Sequence, residues 1–88
     1  MRKEEIVELN DPPEFEIGDK VKSLRLIRND GTYPMRPVGE VLIDEGDIGY
    51  VTSIGTYLQQ FYIYGVDFFE RGRIVGMRAK ELEFLEGN

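Results

Sequence analysis

The chain has 88 residues and a net charge of −6, with 41% hydrophobic and 32% charged residues. That is one domain at most, neither disordered in bulk nor membrane-like, with no apolar run near the ~20 residues of a spanning helix. Cysteine and histidine are both absent, which excludes disulfides and Ser-His or Cys-His nucleophile pairs, and leaves no thiolate or imidazole to hold zinc, haem or an iron–sulfur cluster.

Residues 1–14 read as an acidic N-terminal tail, because Ile6, Val7 and Leu9 are too few for an amphipathic helix and Pro12-Pro13 breaks regular structure. The expected folded domain is residues 15–88. Arg2 and Lys3 are followed by acidic and polar residues, not an apolar stretch, so a secretory signal is not expected and the cytoplasm is the expected location. Residues 15–26 read as the first strand, with a turn at Gly18-Asp19 and alternation through Lys20-Val21-Lys22.

Residues 28–47 form a long excursion. Asn29, Asp30 and Gly31 tolerate the positive φ of a tight turn, and Pro34 and Pro37 hold their predecessors extended. Val41-Leu42-Ile43 is expected to pair briefly before an acidic turn at Asp44-Glu45-Gly46-Asp47, which lacks the spacing of a calcium loop. The clearest strands follow. Residues 48–54 form one, with Gly49 marking a close backbone approach or a bulge, and a loop is expected over 55–60. Residues 61–69 form another, with Tyr62, Tyr64, Val66 and Phe68 on one face. A hairpin turn at 70–73 leads to a strand over 74–78, a single 3-10 turn at 79–82 and a last short strand at 83–85.

The expectation is an all-β fold of about five short strands, with a long first loop and a 3-10 turn near the C-terminus. Small closed or nearly closed barrels solve the exposed-edge problem in this way.

The excursion is the leading candidate site. Tyr33 offers an amphipathic anchor, while Arg28 and Arg36 offer forks for carboxylates, and Tyr and Arg are favoured where proteins dock. Asn29, Asp30, Gly31, Thr32 and Pro34 complete a partner-binding loop, and Tyr57, after Gly55, is the aromatic residue most expected to be exposed to a partner. The competing reading is a self-packed turn in which Asn29 and Asp30 cap their own backbone. The seven aromatic residues from Tyr50 to Phe69 could stack nucleic-acid bases, but core and near-core packing is the favoured reading, since aromatic side chains dominate core burial. No catalytic residue, metal ligand or cofactor site emerges.

Charge is unevenly spread: residues 1–19 carry seven acids against two bases, and residues 20–37 five bases against Asp30 alone. The second stretch is an ordinary mixed surface or a local basic docking patch. The overall negative charge disfavours general nucleic-acid binding.

The strings Phe15-Glu16-Ile17-Gly18-Asp19-Lys20-Val21 and Ile27-Arg28-Asn29-Asp30-Gly31-Thr32-Tyr33-Pro34 resemble the NifZ family of nitrogen-fixation proteins. The likeness continues through Gly49-Tyr50-Val51, Gly55-Thr56-Tyr57-Leu58-Gln59, Val66-Asp67-Phe68 and Gly72-Arg73-Ile74-Val75-Gly76-Met77-Arg78 to Glu81-Leu82. Two features depart from the family pattern: the acidic leader, and an end at Asn88 short of the C-terminal extension that some members carry. The resemblance implies an SH3-like barrel and a non-enzymatic, chaperone-like role in P-cluster assembly, with the immature nitrogenase molybdenum–iron protein as partner and no membrane. Two alternatives stay open: an RNA- or ribosome-binding module, and a non-catalytic subunit of a metalloenzyme.

Overall fold

A computed structural model of the chain describes residues 8–87. The first seven residues of the expected tail lie outside that range. Seven strands carry the fold: β1 (Lys20–Ser23), β2 (Ile27–Arg28), β3 (Val41–Ile43), β4 (Ile48–Tyr57), β5 (Phe61–Phe68), β6 (Arg73–Met77) and β7 (Leu82–Glu86). Five of them form one antiparallel sheet in the order β6-β5-β4-β1-β7, and β2 and β3 pair separately as a two-stranded ribbon. The all-β class follows from the sequence pattern. The sheet and the ribbon are not joined by a ladder into a closed barrel, so the expected closure is not present in the strand pairing.

The period of two places the core. Val51, Val66 and Val75 stand in one cross-strand row on β4, β5 and β6, and all three are buried. Tyr64 and Met77 form the next row on that face, and Val21 on β1 adds to it. Phe68, Leu42, Ile43, Leu82 and Ala79 complete the cluster. Burying such side chains is worth about 1.5–3 kcal/mol each. Gly49 pairs with Val21 of β1, and a Cβ there would lie 2.6 Å from the Asp67 carbonyl oxygen of β5, so the close approach read from the sequence is real. The last 3-10 turn (Ala79–Glu81) feeds β7 as expected.

Four details depart from expectation, each for a local reason. Among the described residues seven strands replace about five, because the excursion builds its own ribbon of β2 and β3. The first strand is confined to Lys20–Ser23; upstream, Phe15 packs edge-on against Tyr64 at 5.2 Å, and Asp19 accepts the Glu16 N–H at 2.8 Å. β4 runs on to Tyr57, and the chain reverses through Leu58 and Gln59, both at positive φ. Residues 8–14, read as tail, lie against β5. A 3-10 turn (Glu8–Asn10) donates the Glu8 N–H to Gln60 and accepts the Tyr62 N–H on the Glu8 carboxylate, both at 2.8 Å. The Tyr64 hydroxyl accepts the Glu14 N–H at 2.9 Å, and the Tyr62 hydroxyl donates to the Asp11 carbonyl at 2.7 Å. Among the described residues, no helix is long and apolar enough to cross a membrane.

Candidate functional site: a cleft between the excursion and the outer strand

The excursion is organised by one side chain. Asn29 is 2% exposed, and its Nδ2 donates toward the carbonyls of Tyr33 (3.1 Å), Arg36 (3.0 Å) and Pro37 (3.3 Å). Its Oδ1 accepts the N–H groups of Gly31 (2.9 Å) and Tyr33 (3.1 Å). Its backbone closes the ribbon, with Asn29 N–H to Glu40 O at 2.8 Å and Gly39 N–H to Asn29 O at 2.7 Å. The loop is thus knotted from within, and Asn29 is unavailable to a partner. Asp30 makes a second, exposed knot: it accepts from the Thr32 hydroxyl at 2.7 Å and the Thr32 N–H at 3.1 Å. Those two bonds hold its carboxyl below the usual carboxylate range.

The knotted loop forms one wall of an open cleft of about 1030 Å³, bounded by Arg28, Asp30, Thr32, Tyr33 and Pro34. Ile27 and Leu42 of the ribbon lie at its base. The opposite wall is the β5–β6 hairpin, with Asp67, Phe69 and consecutive residues 72–76. Arg73 ties the walls together. Its guanidinium lies 5.7 Å from the centre of the Tyr33 ring, reaches the Leu42 carbonyl at 3.4 Å and approaches Glu40 at 3.9 Å. A cation over an aromatic face in a half-buried site adds about 0.5–1 kcal/mol.

Of the residues expected to bind a partner, Arg28, Asp30, Thr32, Tyr33 and Pro34 line this cleft. Asn29 supports it from beneath, and Gly31 takes the positive φ of 105° that the turn needs. Arg36 does not line it and instead faces Glu40 at 3.6 Å. Tyr57 does not line it either: it sits at the end of β4, its ring centre 5.4 Å from that of Phe61, whose own ring carries the Arg78 guanidinium at 3.7 Å. Tyr33 is half-buried against the core, so it is a wall of the cleft more than a free anchor.

The basic stretch is not one free patch either. Lys22 pairs with Glu83 at 3.5 Å and Arg25 with Glu81 at 3.7 Å, and Arg28 donates to the Gly39 carbonyl at 2.9 Å. The acidic turn of residues 44–47 clamps the far hairpin: Arg71 bonds Asp47 at 2.7 Å and Asp44 at 2.5 Å.

Sequence reasoning missed Arg73, Asp67, Ile74 and Gly76. Alternation along residues 61–69 gave the face of Asp67, but Arg73 fell within the expected turn, and alternation does not give strand order, which is what puts β6 on the outside beside the excursion.

The fold and the cleft define a small all-β protein with an open trough between a sheet edge and a stiffened loop. A family model described as the NifZ domain matches residues 12–84. The chain is 52% identical over 85 residues to a protein of Sinorhizobium fredii carrying the NifZ name, covering 97% of this chain and 79% of that one. It is 46% identical over 71 residues to a similarly named protein of Rhodobacter capsulatus, covering 81% of this chain and 91% of that one. Protein NifZ of Azotobacter vinelandii is 49% identical over 70 residues, which cover 80% of this chain but only 44% of that protein. No solved structure matches the chain. This chain belongs to the NifZ family of nitrogen-fixation proteins.

Proposed function

We propose that the chain is a non-catalytic accessory protein of the cytoplasm that binds the immature nitrogenase molybdenum–iron protein and assists assembly of its P-cluster. Membership of the NifZ family supports the setting. The residue inventory supports the division of labour: with neither cysteine nor histidine, the chain is a poor cluster carrier, so the cluster's ligands belong to the client. We read the sheet and ribbon as an SH3-like barrel left open between β6 and the β2–β3 ribbon. The observation that carries the reading is the cleft at that opening, walled by the family-like string from Ile27 to Pro34.

Such help requires unequal affinity, since a partner that binds immature and mature client alike shifts no equilibrium. The test is co-purification with the cluster-deficient and the mature molybdenum–iron protein. Wild type is expected to retain the cluster-deficient form selectively. Arg28→Ala with Phe69→Ala, both exposed on the cleft, is expected to lose it without loss of fold. Equal retention of both forms, or of neither, overturns the proposal.

A further inference from the structure

β6 is an outer strand of the five-stranded sheet, and alternation decides which of its backbone groups face outward. The Tyr62 N–H and the Gln60 carbonyl point to Glu8, on the side of β5 away from β4. Even-numbered residues of β5 therefore direct their backbone groups toward β6. The pairs Tyr64↔Met77, Val66↔Val75 and Phe68↔Arg73 are then the hydrogen-bonded ones. Ile74 and Gly76 turn their N–H and C=O groups away from the sheet. Neither has a partner for those groups among the described residues.

These free groups lie in the cleft. Residues 73–76 all line it, although successive side chains of a strand point to opposite faces. Four consecutive lining residues mean that the edge of β6, not one face, forms the wall. The facing wall is the β2–β3 ribbon with the knotted loop, so the cleft is the gap at which the strand pairing stops. The edge also lacks the usual protection. Sheet edges are blunted by charged residues, proline or bulges, and Ile74 and Gly76 supply none of these. β7, the opposite edge, carries Glu83 and Glu86.

Charge selects the occupant. Arg73 faces Glu40 and packs on Tyr33, while Arg28 donates to the neutral Gly39 carbonyl and keeps its charge, as Asp30 does among its bonds from Thr32; the local balance next to β6 is set by Asp67. The Asp67 carboxylate has no hydrogen bond or ion pair among the described residues, and it stands between Ile74 and Tyr50 in the cross-strand register. Asp30 adds an exposed carboxylate on the other wall. A strand added beside β6 would lie two strand spacings, or about 10 Å, from Asp67, within the combined reach of a lysine or arginine and the aspartate.

We propose that β6 accepts an added strand: an extended, apolar-to-basic segment of the immature client that pairs with Ile74 and Gly76 and fills the gap between the sheet and the ribbon. The inference rests on the reading of the chain as a client-binding accessory protein. Pairing through main-chain groups suits a client that is not yet folded, because it requires an exposed extended segment and little particular sequence. It also supplies the unequal affinity, since maturation buries that segment.

The test compares Ile74→Pro with Ile74→Thr, using the cluster-deficient molybdenum–iron protein as probe. Proline at an outward-facing edge position leaves the β5–β6 ladder intact but removes the free donor. Threonine keeps the donor and the β-branched shape. Ile74→Pro is expected to weaken retention by at least about tenfold, and Ile74→Thr by no more than about twofold. Hydrogen exchange on the wild type gives a reading independent of any variant: the amides of Ile74 and Gly76 exchange quickly alone and slow when client is added. Equal retention of the two variants, or unchanged exchange at both amides, overturns strand addition while leaving the accessory role standing. Failure of the wild type to retain the client overturns both. A concentration-dependent dimer in sedimentation that Ile74→Pro abolishes assigns the edge to a second copy and overturns the client assignment. Overlapping client peptides give the charge: capture of acidic segments in preference to basic ones overturns that part.

Discussion

Replacing Asn29 by alanine decides whether the excursion is a self-supporting wall or a loose docking loop. The side chain accepts two N–H bonds on Oδ1 and directs its two Nδ2 protons at three carbonyls, one proton being shared. Each intramolecular hydrogen bond contributes about 0.5–1.5 kcal/mol net, and a buried group left unpaired costs about 1–3 kcal/mol. Gly31, Arg36 and Pro37 are exposed, so water replaces their lost partner; the Tyr33 groups are half-buried and less accessible. The sum is about 2–4 kcal/mol, against a total of roughly 4–13 kcal/mol for a chain of this length. At about 4–8 °C per kcal/mol, the melting temperature should fall by roughly 10 °C or more. Asn29→Asp should be no better than alanine, because it keeps the acceptor but points a charge at three carbonyl oxygens. Thermal melts followed by circular dichroism check both. A fall of less than about 4 °C for Asn29→Ala, under the 4–8 °C that one kcal/mol represents, refutes the argument that this side chain organises the loop.

Three further outcomes follow from separate parts of the fold. Burial raises the Asp47 carboxyl, but its bonds from Arg71 and the Asp44 N–H outweigh that and leave it below the usual carboxylate range. A depressed native value adds stability that is present above the unfolded carboxylate range near 4 and is lost as the pH falls through the native value; Asp47→Asn should flatten the acid limb of a melting-temperature profile, and an unchanged limb counts against the clamp. Tyr64→Phe removes only the hydroxyl that accepts the Glu14 N–H, so it should cost about 0.5–1.5 kcal/mol in urea titration and speed amide exchange at Glu14. Leu58 and Gln59 hold positive φ without being glycine, at about 1–2 kcal/mol each; changing the pair to Asn-Gly should raise the urea midpoint, and a lowered midpoint would show that those side chains contribute more than their strain.

How much was legible in the sequence differs from element to element. Strand β5 was readable because Tyr64, Val66 and Phe68 alternate with polar or small neighbours, and all three are fully buried. The last 3-10 turn was readable because the short run from Ala79 to Leu82 has room for little else. The end of β4 was not, since Gly55 reads as a terminator until the reversal at Leu58 shows the hairpin to be longer. Both roles of the excursion were in view. The capping role of Asn29 and Asp30 is the one with observed hydrogen bonds, and it builds the wall on which a docking role depends. Arg73 was hidden among turn residues, because its partners Tyr33 and Leu42 are distant in the chain and meet it only through the fold.

An open sheet edge carries a hazard as well as a use, and the chain limits the hazard in two ways. β6 offers outward groups at only two residues, so main-chain pairing alone is a weak hold for a second copy or for a client, and side-chain contacts in the cleft must add to it. The net charge of −6 also keeps copies apart in solution. The same charge does not repel an apolar or basic segment, and Asp67, which has no ion pair among the described residues, stands opposite Ile74 in the register. Across the trough, Arg73 links the two walls through the Tyr33 ring and the Leu42 carbonyl. The knot at Asn29 ties Gly31, Tyr33, Arg36 and Pro37 to one buried side chain on the wall across from that edge.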